Sequence, residues 1–208
     1  MTVSQQDTID FTEMYSTHDA FRRDLVRFEA ASAAGKAGAP GVKAGWENFK
    51  TQLLIHHSVE DVWLWPRLQR EVADRPGDLA LLEEMEAEHA CIDPLLAAVD
   101  GALTGQGANL AEGVQELSAV LGYHLKHEED SALPLIQSVL TNADWRGFKG
   151  AMTRKQGIRG AAVYIPWIID GIPPADQDKF LAKMPAPARL INRLIWKPRY
   201  QQRNLWSF

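Results

Sequence analysis

The sequence predicts an all-α protein: an antiparallel up-down four-helix bundle over residues 8–140, followed by a basic, proline-punctuated helical extension over residues 141–208. Three observations carry that prediction. Apolar residues over the first 140 positions recur at helical spacing, with almost no strand alternation. Breaker segments, AGKAGAPG at 34–41, DRPGD at 74–78 and GALTGQGAN at 101–109, divide that stretch into four. Charge changes at a single place: residues 1–149 hold 12 Lys/Arg against 24 Asp/Glu, whereas residues 150–208 hold 10 Lys/Arg and 3 Asp. Six of the eleven prolines follow residue 149, and all six histidines precede it.

Each segment carries a seam with alternating spacings of three and four. The first reads Phe11, Met14, His18, Phe21, Leu25, Phe28, and the second Trp46, Phe49, Leu53, His56, Glu60, Trp63. The third reads Leu82, Met85, His89, Ile92, Leu96, Val99, Leu103, and the fourth Leu110, Val114, Leu117, Leu121, His124, Glu128, Ser131, Leu135. Such seams pack helices side by side, and loops of about eight, five and nine residues suit antiparallel neighbours. Pro94 deletes a backbone donor and is expected to kink the third helix. In the extension, Asn142 or Asp144 starts a helix reaching Lys155. The stretch from Gly157 to Asp170 is apolar around Pro166, and further short helices run from Pro174 to Lys183 and from Pro187 to Asn204.

Polar residues interrupt every seam. His18, His56, Glu60, His89, His124 and Glu128 each take a slot suited to leucine, near the middle of its helix. A buried charge costs several kcal/mol unless it is paired or binds a metal. Six such residues on four helices call for one common partner, and adjacent antiparallel helices bring their midpoints together. Four imidazoles and two carboxylates suit a borderline transition metal rather than calcium or magnesium. Two six-coordinate irons offer roughly twelve positions. The histidines, two bridging carboxylates and an oxo or hydroxo bridge fill most of them and leave room for a small molecule. A single zinc would leave several of the groups unexplained, although zinc and manganese both accept these donors.

These pieces resemble the hemerythrin family, in its HHE cation-binding branch. The matching stretches are THDAFRRDL around His18, IHHSVEDVWLWP around His56, EMEAEHACIDPLL around His89 and GYHLKHEEDSALP around His124. The resemblance covers residues 8–140 and implies a hemerythrin-like four-helix bundle with a non-haem di-iron site that meets dioxygen or related oxidants. The oxygen carriers of that family place two histidines four apart on the third helix. The position four after His89 is here Asp93, which argues against a reversible carrier. Family members often use a carboxylate five residues after the fourth-helix histidine, which would be Glu129. Seam geometry selects Glu128, with Glu129 taking its place if the helix carries a π-bulge.

The metal-ligand set is therefore read as His18, His56, His57, Glu60, His89, His124 and Glu128. His57 sits one residue past the seam, and Asp93 and His127 are further candidates on the same broad face, Asp93 being either a ligand or hydrogen-bonded within its helix next to Pro94. His127 is otherwise placed to pair with Glu88 or Glu84, and Glu86 falls on the solvated face. Tyr15, one turn before His18, is either a packing residue or a hydrogen-bond donor to a small ligand. Cys91 is an ordinary small residue.

Two functions suit this site. One is a di-iron protein binding, reducing or activating dioxygen, peroxide or nitric oxide, as a peroxidase-, catalase- or oxidase-like oxidoreductase. The other is a non-catalytic iron or oxygen sensor, or an iron store, signalling through the basic extension. A metal-free structural bundle is the third and weakest reading. The extension either wraps the acidic bundle or contacts an anionic membrane or a protein partner. No nucleic-acid motif accompanies its basic residues. A single cysteine, no basic and apolar leader in MTVSQQDTIDF, and a longest apolar run of nine residues (161–169) predict a cytoplasmic, non-spanning chain.

Overall fold

A computed structural model describes residues 8–106 and 109–208, so most of MTVSQQDTIDF and two positions of the predicted 101–109 loop lie outside it. Every regular element among the described residues is helical. Four rods come first. Helix α1 spans Thr12–Ala33. The second rod is α2 (Pro40–Val59), a π-helical turn over Glu60–Leu64, and α3 (Trp65–Glu71). The third is α4 (Pro76–Leu103), which stays helical through Pro94, whose ring lies on the exposed side. The fourth is α5 (Leu110–His127), a π turn over Glu128–Ala132, and α6 (Leu133–Val139).

Two apolar clusters fill the interior, one on either side of a polar layer. The first holds Phe21, Phe28, Trp46, Phe49, Leu53, Ile92, Val99, Leu117 and Leu121. The second holds Met14, Leu64, Trp65, Leu68, Leu82, Met85, Leu133 and Ile136. Burying each such side chain contributes roughly 1.5–3 kcal/mol. Along α1, Met14 of the second cluster precedes His18 and Phe21 of the first follows it. Along α4, Met85 and Ile92 flank His89 in the same order. The order reverses on the other two rods, where Leu53 precedes and Leu64 follows Glu60, and Leu121 precedes and Ala132 follows Glu128.

The two π turns correct the predicted seams. Trp65 N–H reaches the carbonyl of Glu60 and Leu133 N–H that of Glu128, each five residues back. The extra residue moves the inward position from Trp63 to Leu64 and from Ser131 to Ala132. A proline follows each turn by two residues, Pro66 and Pro134. A proline ring clashes with the carbonyl four residues back and offers no N–H, so widening the helix there relieves both problems.

The remaining residues wrap the rods. Helix α7 (Asn142–Ile168) starts at a capping box between Thr141 and Asp144, and breaks at Gly157, where φ is +62°. Helices α8 (Pro174–Ala182) and α9 (Ala186–Ile191), a third π turn (Asn192–Trp196) and α10 (Lys197–Gln202) follow. Tyr164, Trp167, Phe180, Tyr200 and Trp206 join the first apolar cluster. Near the C-terminus Trp206 N–H donates to the Gly41 carbonyl, and its ring lies against Gly45, where a Cβ would collide with it. Charge contributes less to this wrapping than the sequence asymmetry suggests. Lys183 pairs with Asp10 and Lys149 with Glu13, but Arg27 of α1 and Arg67 of α3 pair with Asp170 and Asp144 of the extension, the opposite polarity. No described helix is long and apolar enough to cross a membrane.

Candidate metal centre

The polar layer gathers all seven residues of the predicted ligand set. His18 and Glu60 expose no surface, nor do His124 and Glu128, while His56, His89 and His57 are 2 %, 5 % and 6 % exposed. Their donor atoms form two groups, His18 with His56 and Glu128, and His57 with His89 and His124, each with atoms within 4.8 Å of one another. Glu60 lies between the groups. Its Oε1 is 3.2 Å from His56 Nε2, and its Oε2 is 3.8 Å from His89 Nε2.

Outer carboxylates fix the rings. Glu129 accepts from His18 Nδ1 at 2.8 Å, Asp61 from His89 Nδ1 at 2.7 Å, and Glu88 from His124 Nδ1 at 2.8 Å. An ionised carboxylate only accepts, so each Nδ1 carries the hydrogen and, in a neutral ring, each Nε2 presents a lone pair. His89 Nε2 and His124 Nε2 nevertheless face each other at 3.1 Å. Two lone pairs at that distance repel unless a cation or proton lies between them. The buried Nε2 of His57 and all four carboxylate oxygens of Glu60 and Glu128 also lack a hydrogen-bond partner. Such orphaned buried atoms are costly, and nitrogen and oxygen donors of this kind are what a transition-metal ion requires. The residues fit a metal pair.

The pKa directions differ between the donors. Burial, reinforced by neighbouring imidazoles, holds His56 and His57 well below the ordinary histidine value, in the neutral form that coordinates. Burial also opposes charge on His18, but Glu128 and Glu129 outweigh it and hold that pKa up to about 9. Burial works against ionised Glu128 as well, yet His18 above all draws it down to about 2. Burial, then Glu128 and Asp61, pushes Glu60 well above the usual carboxylate range. With only the protein's own charges, the two inner carboxylates cannot both ionise comfortably. A cation reverses that logic.

The π turn of the fourth rod is present, but it begins at Glu128 and leaves that side chain in the layer. Glu129 turns outward to His18 Nδ1 and to Arg22 at 2.8 Å. The second rod repeats the pattern, with Glu60 inward and Asp61 outward. His127 lies outside both groups and donates from Nδ1 to Glu88 at 2.8 Å, with Glu84 at 3.8 Å. Asp93, Glu86 and Cys91 are exposed, and Glu86 accepts from Gln69.

Two openings reach the layer. A groove lined by Asp61, Glu86 and Asp93 meets His57 and His89. A narrow cleft lined by Met14, Trp145, Phe148, Met152, Thr17 and Tyr164 ends on His56. Tyr15 takes no part, since it points outward at 44 % exposure. The tyrosine at the site is Tyr164 of α7, which sequence reasoning did not single out. Thr17 Oγ1 donates to the Glu13 carbonyl at 2.8 Å, so the Tyr164 hydroxyl, 2.7 Å from Thr17 Oγ1, is the donor of that pair. Burial, then Glu13, keeps this phenol protonated far above the ordinary tyrosine range despite the Thr17 contact, and Glu60 adds to the effect.

Residues 9–136 match a family model described as the hemerythrin HHE cation binding domain. No curated protein and no solved structure matches the chain.

Proposed function

The chain belongs to the hemerythrin HHE cation-binding family, and on that premise we propose that it is a non-haem di-iron protein that binds and reduces or activates a small oxidant: dioxygen, peroxide or nitric oxide. The rods are read as an antiparallel up-down four-helix bundle, a reading supported by the reversed order of the two apolar clusters on alternate rods. His18, His56 and Glu128 would hold one ion and His57, His89 and His124 the other, with the Glu60 carboxylate lying within reach of both groups. The observation that carries the proposal is the facing Nε2 atoms of His89 and His124, whose Nδ1 hydrogens are both committed to carboxylates.

Iron bound there supplies one-electron redox chemistry and open coordination positions, and manganese or zinc would accept the same donors. The chain's own residues set the terms. Asp61, Glu88 and Glu129 orient the rings. Met14, Phe148 and Met152 form the apolar part of a narrow approach, sized for a small molecule, whose lining also holds the ion pair of Glu13 with Lys149. Tyr164, which lines the same approach as His56, donates its hydroxyl proton to Thr17 Oγ1 and would turn it from that bond to an oxygen atom arriving beside His56. On the opposite side the acidic groove draws cations toward His57 and His89.

Protein from iron-supplemented cells is expected to hold one iron for each of the two donor groups. His18→Ala and His89→Ala should each lose about one of them, as read by elemental analysis. Peroxide, dioxygen or nitric oxide should change the visible spectrum of the loaded protein. Failure to retain iron after loading, or a loaded protein indifferent to all three oxidants, overturns the proposal.

A further inference from the structure

The stretch from α9 through the third π turn to α10 presents two opposite faces. Asn192 and Tyr200 face the protein and are buried. The outward face is aliphatic and wet: Leu190 is 57 % exposed, Ile191 39 %, Leu194 63 % and Ile195 42 %. These residues fall at i, i+1, i+4 and i+5, so they share one helical face. Scattered exposed leucines are ordinary, whereas four neighbours on one face mark a contact surface.

The surround is mainly basic, with Asp178 as the one acidic residue in the groove that Arg189, Arg193 and Lys197 line. Arg189, Arg193, Lys197, Arg199 and Arg203 flank the patch, and no acidic residue follows Asp178. Arg189, Arg193 and Arg199 are exposed and form no ion pair among the described residues. Their charge is therefore available to a partner.

We propose that this face docks onto an anionic lipid bilayer, with α9 and α10 lying in the plane of the interface. A lipid surface offers both halves of the complement, headgroup phosphates for the arginines and acyl chains for Leu190, Ile191, Leu194 and Ile195. A two-fold pairing of two copies through this patch would set cation against cation. Residues 1–149, with twice as many acidic as basic residues, then face away from the membrane, as like-charge repulsion requires. The helices lie on the bilayer rather than across it, since no described helix is long and apolar enough to span. This docking is independent of the metal reading.

The test is co-sedimentation of the full-length protein with vesicles of phosphatidylcholine alone and with vesicles rich in phosphatidylglycerol. Binding is expected to the anionic vesicles only, and high salt should release it. Arg189→Gln with Arg193→Gln should weaken partition about fivefold per charge. Leu190→Ser with Leu194→Ser should weaken it at least about tenfold. Val26→Ser, at an exposed position on α1, should leave it unchanged. Circular dichroism should show every variant folded as the parent, because each replaced side chain is solvent-facing. Failure to bind anionic vesicles overturns the proposal, as does equal binding to both vesicle types. A dimer in sedimentation that the double serine variant dissociates would assign the face to self-association instead.

Discussion

Trp167 donates its indole Nε1–H to a carboxylate oxygen of Asp24 at 2.7 Å, and neither residue exposes any surface. Arg23 Nε donates to the other oxygen at 2.9 Å and, through Nη1, to the carbonyls of Trp167 and Asp170. A buried carboxylate on α1 thus fastens α7, and Trp167 packs on Phe21, which in turn contacts His56. Asp24→Ala leaves the Trp167 indole N–H and the Arg23 Nε–H without their acceptor and removes the carboxylate beside a partly buried guanidinium. The expected cost is about 3 kcal/mol, a fall of roughly 6–12 °C in Tm for a chain of this size. Thermal unfolding by circular dichroism checks it. A drop no larger than that of Asp176→Ala, which breaks an exposed pair with Lys179, would contradict the assignment.

The outer carboxylates should govern metal affinity without holding up the fold. Asp61 is 42 % exposed, and its contact with His89 Nδ1 selects the tautomer and orients the ring. Asp61→Asn is expected to weaken metal binding about 10–100-fold, with helical content unchanged. Competition against a chelator of known affinity measures the change. Affinity equal to the parent's would show that the His89 ring is set by packing, including its stack on His57 at 3.9 Å.

Acid should loosen the start of α7. Asp144 accepts from Thr141 N and Oγ1 and from Arg67, and these contacts, Thr141 first, hold its pKa below the ordinary value. A carboxylate depressed on folding contributes stability above its unfolded pKa and loses that contribution as pH falls through the folded value. Tm of the parent should therefore fall more steeply than that of Asp144→Asn as pH drops from about 5 to about 3. At neutral pH the variant should be less stable by about 1 kcal/mol, the usual worth of a cap. Parallel Tm curves for the two proteins across that range would discount the carboxylate.

The layer of polar residues was legible because each member stood in a slot that packing reserves for leucine. His18, His89 and His124 could be read from spacing alone, and His57 entered only as a neighbour of His56. The π turns were less visible, since a 3.6-residue period carries no mark of one added residue. Their trace is the proline six positions after Glu60 and again after Glu128, a spacing repeated between Asn192 and Pro198 at the third π turn. The wrapping of the rods by residues after 140 could not be read from charge, because buried aromatics and Asp24 hold it rather than the surplus of cations. Tyr164 was invisible for the same reason. Its nearest named partner, Thr17, is 147 residues away, and only the tertiary fold brings them together.

That tyrosine gives the sharpest test of the chemistry. Tyr164→Phe deletes one hydroxyl and keeps the ring that packs near Trp167. Thr17 retains its bond to the Glu13 carbonyl, so stability should change by no more than about 1 kcal/mol. None of the residues proposed to hold metal is altered, and metal content should match the parent's. The reaction with peroxide, followed as the visible absorbance change of the loaded protein, should slow about a hundredfold, the usual scale for losing a positioned proton donor. Tyr15→Phe, at an exposed position on α1, should react as the parent does. If Tyr164→Phe keeps its metal and reacts at the parental rate, the hydroxyl serves only to bind Thr17. If it loses metal, Tyr164 acts through the architecture of the centre and not through its proton.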